Sequence, residues 1–402
     1  MSDAVTEGLS PQTAAGPRVA VLTLRGFERH VSRSCGYEYE DAIAHDLDDA
    51  LVLTLRSNGR PRLMAAQRWL SRRTPFGQAL PLGVTPLSLD APVDLFFFSA
   101  AQMRDLAYVG SVRNWRRNAG FAVCWLQEMW INDLANLGHL ADILNRFDHV
   151  ICSFAQTCAP LRALLKVPVT YLPWGVDTAL LCPFPNPPER TVDILRVGEN
   201  DMTEATHRAL IDHADRTGQF YCYSTLQGMN LVTSHRAHRA NYAGTLKRSR
   251  YFVTYLAKVN ARQERGDQTE FGLRYLEGVA AGAVLLGDVV PGAAFADHLG
   301  WQDAVIDVPH GTVDMASVLK KLDADPDRLA AAQVRNVTQA LARHDHLHRW
   351  ADVLRIAGLP ATARMTARAA RLATLAQMAG GATTNVLHHK EAARRSHSDR
   401  AV

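Results

Sequence analysis

The strongest constraint on this chain is a pattern that runs, stops and starts again. Apolar runs suited to buried strands come first: "RVAVLTLRGF" (18–27), "LVLTLR", "PVDLFFFSA" (92–100), "GFAVCWLQ" (120–127), "DHVICSF" and "VPVTYLPWG". Between them lie helix-like segments such as "YEYEDAIAHDLDDA", "LGHLADILNRF" and "APLRALLK". The stretch "LLCPFPNPPERT" (180–191) then places four prolines in a short span. Proline fixes its own φ and lacks the N–H that a sheet interior needs, so this stretch reads as a connection. The alternation resumes with "VDILRVG", "EATHRALIDHAD", "YFVTYLAKV" (251–259), "AVLLGD" (283–288) and "DAVIDV" (303–308). Helical segments follow: "DMASVLKKLD", "DPDRLAAAQVRNVTQALAR", "HLHRWADVLRIAGL" and "ARMTARAARLATLAQMAGG". Strands alternating with helices predict parallel sheets wound on both faces.

The organisation predicted is therefore α/β, with two Rossmann-like doubly wound domains facing a central cleft. Residues 1–17 are expected to be a disordered lead and 18–178 the first domain. Residues 179–191 form the proline-rich linker and 192–358 the second domain. A terminal helix spans 359–379, and 380–402 reads as a disordered tail. At 402 residues the chain is too long for one ordinary core. Ligands of such sheets bind outside the carboxyl ends of the strands, which points to the cleft.

Charge and cysteine usage narrow the classes. The 44 basic and 40 acidic residues give a net charge of +4 with no basic stripe, so nucleic acid is not an expected partner. The six cysteines form no CxxC pair, which fits a reduced, cytoplasmic chain. The start "MSDAVTEGLSPQTAAGP" lacks the basic and apolar regions of a signal peptide. No GxGxxG follows the first strand and no GxxxxGK[ST] occurs, against nicotinamide, flavin and P-loop chemistry.

The stretch richest in chemistry is "TEFGLRYLEGVAAGAVLLGDVVPG", Thr269 to Gly292. It predicts a helix over about 272–281 running into a buried strand. Leu273, Leu276 and Ala280 fall at helical spacing for packing on the sheet. Arg274 and Glu277 share another face near the helix start, where free N–H groups and the dipole favour an anion. A planar guanidinium suits a diphosphate, and a carboxylate one turn on suits sugar hydroxyls. The same two residues would also serve as an ordinary solvated pair on a surface helix.

This segment resembles the donor-binding motif of GT-B glycosyltransferases, which often carry two glutamates around an "FG". Glu277 is in register with the second glutamate. Thr269 holds the first register position, and Glu270 stands one place late. The spacing Arg274, Glu277, Ala280, Gly282 followed by "GDVVPG" is similar to a branch resembling spore-maturation glycosyltransferases. "HDHLHR" (344–349) resembles the closing helix of that branch, and "LPWGVD" (172–177) the turn that ends GT-B N-terminal domains. The resemblance implies a nucleotide-diphosphate sugar held mostly by the second domain, and an acceptor (glycan, protein or small molecule) held by the first. It implies no required cofactor and no metal site. It assigns ribose contact to Glu277 and diphosphate contact to Arg274 with the backbone of Phe271, Gly272 and Leu273. Gly198, and Arg262 or Arg265 in the loop "NARQERGDQ", are expected to face the same cleft. Retention of configuration is the expected outcome.

Three further residues are candidates for the chemistry itself. Glu128 follows a strand of the first domain and suits a base or acceptor ligand, or equally a cap on the next helix. His30 follows the first strand, where histidines are more often structural. Glu270 is the displaced first glutamate. His344 and His348 share a helical face, but no third ligand of suitable spacing supports zinc. The basic terminal segment, with Arg364, Arg368, Arg371, Arg394 and Arg395, offers weak contact to an acidic membrane surface. In proteins of this resemblance the last helices instead often cross to the first domain. The function expected is transfer of a sugar from a nucleotide-diphosphate donor. The alternatives are a nucleotide-sugar epimerase or hydrolase on the same fold, and a non-catalytic sugar- or partner-binding module.

Overall fold

The computed structural model describes residues 16–71, 81–198, 202–224 and 230–398, with side chains left out for 382–398 and for some of 61–71. Nearly all of the expected lead and the last residues of the chain lie outside the described residues.

The first sheet holds β1 (Val19–Gly26), β2 (Ala50–Ser57), β3 (Val84–Thr85), β5 (Val93–Ala100), β7 (Ala119–Leu126), β8 (His149–Cys152) and β9 (Val169–Tyr171). Their order is β3-β2-β1-β5-β7-β8-β9, parallel except for the short edge strand β3. Two short strands, β4 (Leu87–Ser88) and β6 (Val112–Arg113), pair separately. The second sheet holds β10 (Val192–Arg196), β11 (Tyr221–Tyr223), β12 (Ser249–Val253), β13 (Val284–Gly287) and β14 (Val305–Asp307). Its order is β11-β10-β12-β13-β14, all parallel. Strand order reverses beside β1 in one sheet and beside β10 in the other. The carboxyl ends of β1 and β10 therefore sit at the two switch points.

Strand alternation explains the core. On β5, Phe96 and Phe98 point to one face, where Phe96 packs on Trp115 and Phe147. Phe97 points to the other face and meets Tyr39, Trp125 and Trp350. Trp350 comes from the far end of the sequence. The helices His346–Ile356 and Ala363–Ser398 thus cover a face of the first sheet. Trp350 Nε1 donates to Asp48, and Arg364 donates to the Asp48 carbonyl. Among the described residues no helix is long and apolar enough to cross a membrane.

Several elements differ from the sequence reading. The terminal helix continues to Ser398, where a disordered tail is expected after Gly380. "YFVTYLAKV" leaves the sheet at Val253, and its Lys258 takes a positive φ of 51° in the following loop. Only Leu140–Leu144 of "LGHLADILNRF" is α-helical. The helices Pro61–Ser71 and His235–Lys247, and the strand β11, are not anticipated.

Two segments singled out in the sequence meet in space. Val176 of "LPWGVD" forms a parallel bridge with Asp345 of "HDHLHR". Asp345, fully buried, caps its helix through Leu347 N–H (2.9 Å) and accepts from Thr178 Oγ1 (2.7 Å) and Arg368 (2.7 and 2.8 Å). Arg368 also reaches Asp177 at 2.8 Å. This arginine, offered above to a membrane surface, is buried in ion pairs that tie the terminal helix to both motifs. Removing one partner of a buried pair strands a charge, so Arg368→Ala is expected to lose roughly 3–5 kcal/mol of stability. Urea unfolding checks this, with the exposed Arg262→Ala expected to keep the wild-type midpoint.

Candidate functional site

Gly198, just past the end of β10, and the helix Leu273–Ala280 build the centre of the site. Gly198 sits at the switch point with φ of 139°, a conformation open to glycine but not to other residues. A Cβ placed there would lie 2.4 Å from the Arg274 guanidinium carbon. The glycine thus lets Arg274 lie directly over the backbone at the end of β10. Gly272 caps the helix in extended conformation, so the N–H groups of Leu273 and Arg274 open onto the same place. Phe271 is buried against Tyr275, Phe295 and His298, which fixes the helix start. Gly282 has a different task. At φ of 66° it turns the chain from helix into β13 beneath Arg190, which donates to its carbonyl at 2.7 Å.

Glu277 lies one turn along and is only 3% exposed. It is not an open carboxylate. Its Oε1 accepts from Arg239 Nη1 at 2.5 Å and its Oε2 from the Tyr242 hydroxyl at 3.0 Å. Both donors belong to the helix His235–Lys247, which the sequence reading passes over. The same Arg239 donates from Nε to Glu38 Oε2 (2.8 Å) and from Nη2 to Glu38 Oε1 (3.2 Å). Glu38 comes from the helix Ser34–Asp41 behind β1, on the other sheet. Burial alone would raise the Glu38 carboxyl, but Arg239 and then His346 outweigh it and hold it at about 2. Burial alone would lower the Arg239 guanidinium, and the two carboxylates hold it well above its ordinary value. Beside this triad, Asp41 accepts from His235 (2.9 Å) and Arg236 (2.7 Å) of the same helix. The spacing Ser234, His235, Arg239, Tyr242 carries the signal that would have found this helix: a cap, then one polar face at i, i+4 and i+7.

The remaining candidates lie elsewhere or are otherwise engaged. Glu270 is buried and accepts from Gln156 N–H at 3.2 Å and Gln268 Nε2 at 2.8 Å. It caps the helix Ala155–Leu164 of the first unit, with Thr269 bonded to Gln156 beside it. Burial raises its carboxyl pKa against the hydrogen bonds from Gln268 and the Gln156 and Ala155 backbone. Glu128 faces the second unit, pairing with Lys258 at 2.7 Å and accepting from Trp130 Nε1 at 3.0 Å. His30 is half-buried and caps its own turn, its Nδ1 accepting from Ser32 N–H at 3.3 Å. Arg262 is exposed and paired with Asp267 at 2.6 Å. Arg265 holds the carbonyls of Lys258, Gly266 and Gln268, so it shapes its loop. Thus Gly198, Phe271, Gly272, Leu273, Arg274 and Glu277 converge, while Glu270, Glu128, His30 and Arg262 do not join them. At the other switch point a small recess is lined by Leu24, Gly36, Tyr37, Glu40, Ser99 and Gln127. Among the described residues no group of three or more His, Cys, Asp or Glu side chains is placed to hold a metal ion.

The depressed Glu38 carboxyl has a signed consequence. Its stabilising contribution is complete above its usual 4.5 and is lost as pH falls through about 2. Thermal melting between pH 5 and 2 is expected to fall less steeply in Glu38→Gln than in the wild type. Parallel curves would contradict the assignment.

Residues 201–355 match the family model described as glycosyl transferase-like. An alpha-glucosyltransferase solved with UDP and a 13-mer DNA containing a central A:G mismatch is 10% identical; the match covers 85% of this chain and 100% of that chain, with a TM-score of 0.51. Anabaena Alr3699/HepE, solved with UDP-glucose, is 12% identical over 84% of this chain and 99% of that chain, with a TM-score of 0.47. The pneumococcal O-GlcNAc transferase GtfA, solved with UDP and GlcNAc, is 10% identical with a TM-score of 0.42; the match covers 74% of this chain and 60% of that chain. No curated protein sequence matches. The chain therefore resembles the GT-B glycosyltransferases, in sequence over residues 201–355 and in fold over both sheets.

Proposed function

We propose that the protein is a glycosyltransferase that moves a sugar from a nucleotide-diphosphate donor to an acceptor. One observation carries this reading: Arg274 lies over the positive-φ Gly198 at the switch point, beside the start of the helix Leu273–Ala280. That arrangement offers a guanidinium and helix N–H groups to one anion. A sugar leaving a diphosphate loads negative charge onto the phosphate oxygens, and fixed donors lower the barrier where that charge grows. The alpha-glucosyltransferase of similar fold, solved with UDP, supports the donor class.

In this reading residues 192–358 hold the donor and 18–178 the acceptor. Glu277 takes the ribose hydroxyls, sharing its oxygens with Arg239 and Tyr242. The acceptor meets the donor sugar between the switch-point recess and the helix start. Neither a metal nor a cofactor is invoked. Retention of configuration rests on the resemblance of the glutamate motif. The buried Glu270 is assigned to joining the two units rather than to the reacting sugar.

Calorimetric titration of UDP, GDP and dTDP into the wild type and Arg274→Ala tests the reading. One nucleotide is expected to bind, and the variant to weaken it by roughly ten- to hundredfold, as for a lost charge-assisted hydrogen bond. Binding of none of them, or equal binding by the variant, would sink the donor-site assignment and favour a module without nucleotide chemistry.

A further inference from the structure

Glu277, the ribose ligand in the reading above, is held by an arginine that also grips the opposite unit. Arg239 Nη1 meets Glu277 at 2.5 Å, while Nε and Nη2 of the same guanidinium meet Glu38 at 2.8 and 3.2 Å. All three side chains are buried. Glu38 accepts more distantly from Asp177 N–H and His346 Nε2, both at 3.4 Å. It therefore also senses the two motif segments at the crossing between the units. Its helix supplies Gly36, Tyr37 and Glu40 to the recess at the first switch point.

We propose that Arg239 is a positioning residue that sets the Glu277 carboxylate for the ribose and links donor binding to the recess on the first unit. The inference rests on the donor-site reading. Its physical content is a shared donor. A planar guanidinium holds both carboxylates in a fixed fork, and a lysine ammonium cannot reproduce that geometry. Arg239 holds the Glu277 carboxylate in the orientation that presents its remaining lone pairs to the ribose hydroxyls. Glu38 fixes the guanidinium through Nε and Nη2, so loosening either contact frees the Glu277 carboxylate to turn away. A change at Glu38, on the unit that does not hold the nucleotide, therefore alters nucleotide affinity, and linkage requires the reverse as well. A purely structural role predicts lower stability without any effect tied to the ribose.

The experiment uses whichever of UDP and GDP binds, together with its dideoxy counterpart, which lacks the ribose hydroxyls. Affinities are measured for the full chain as wild type, Arg239→Lys and Glu38→Gln. The wild type is expected to prefer the ribonucleotide. Both variants are expected to lose about tenfold in ribonucleotide affinity, within the usual range of coupling between sites, and to bind the dideoxy form as the wild type does. Glu38→Gln keeps the test open if Arg239→Lys does not fold. Two results overturn the inference while leaving the donor site in place: variants that keep the full ribose preference, or variants that weaken both nucleotides alike. A wild type that binds neither nucleotide, or shows no ribose preference, overturns the reading of Glu277 and the inference with it.

Discussion

The arrangement of the two units depends on one guanidinium between two carboxylates. Arg239 joins Glu277, at the heart of the donor-like motif, to Glu38, behind the first strand of the other sheet. Burying three charges is costly, and two carboxylates share one arginine. The surplus negative charge is met by neutral donors and neighbours: the Tyr242 hydroxyl on Glu277, and Asp177 N–H and His346 on Glu38. Such a cluster contributes specificity of arrangement more than net stability, since breaking it strands a charge. Around it lie Asp41 with His235 and Arg236 on one side, and Asp345 with Arg368 on another. The same few helices thus hold the units together and carry the residues nearest the switch points.

A second contact belt runs along the far side. Gln268 accepts from Ile131 N–H at 2.9 Å and donates to Thr157 Oγ1 at 2.9 Å, next to Glu270 on the helix Ala155–Leu164. Lys258 pairs with Glu128 and lies over the Trp130 ring. The loop 258–270 therefore acts mainly on the first unit. This accounts for the fate of the displaced first glutamate. A carboxylate that satisfies a helix N-terminus across the interface is stabilised by that bond.

The fold was legible because strand periodicity and prolines are local signals. The runs around Phe96–Phe98 and Val284–Leu286 have no solvent-facing alternative, and the four prolines of 180–191 admit no sheet interior. The meeting of Gly198 with Arg274 was legible too, since both follow from where strands end. Glu38 and Arg239 were not. Each is an ordinary charged residue on an ordinary helix until the other sheet is placed against it, and a pair separated by 201 positions leaves no local trace. Glu270 shows the converse: its sequence neighbourhood suits a sugar, while its hydrogen-bond partners include the Ala155 and Gln156 backbone of the other unit. Arg368 likewise looked like part of a basic face, because its partners Asp177 and Asp345 lie far away in sequence.

The central claim is that a nucleotide diphosphate docks at the start of the helix Leu273–Ala280 and is felt by the helix His235–Lys247. Hydrogen exchange with and without a saturating nucleotide diphosphate tests it most directly. The account predicts slower exchange at the amides of 271–275 and over 235–242, because bound phosphate takes the helix N–H groups and ribose engages the carboxylate that Arg239 holds. Protection confined to the first unit, or none at either segment despite binding, would contradict it.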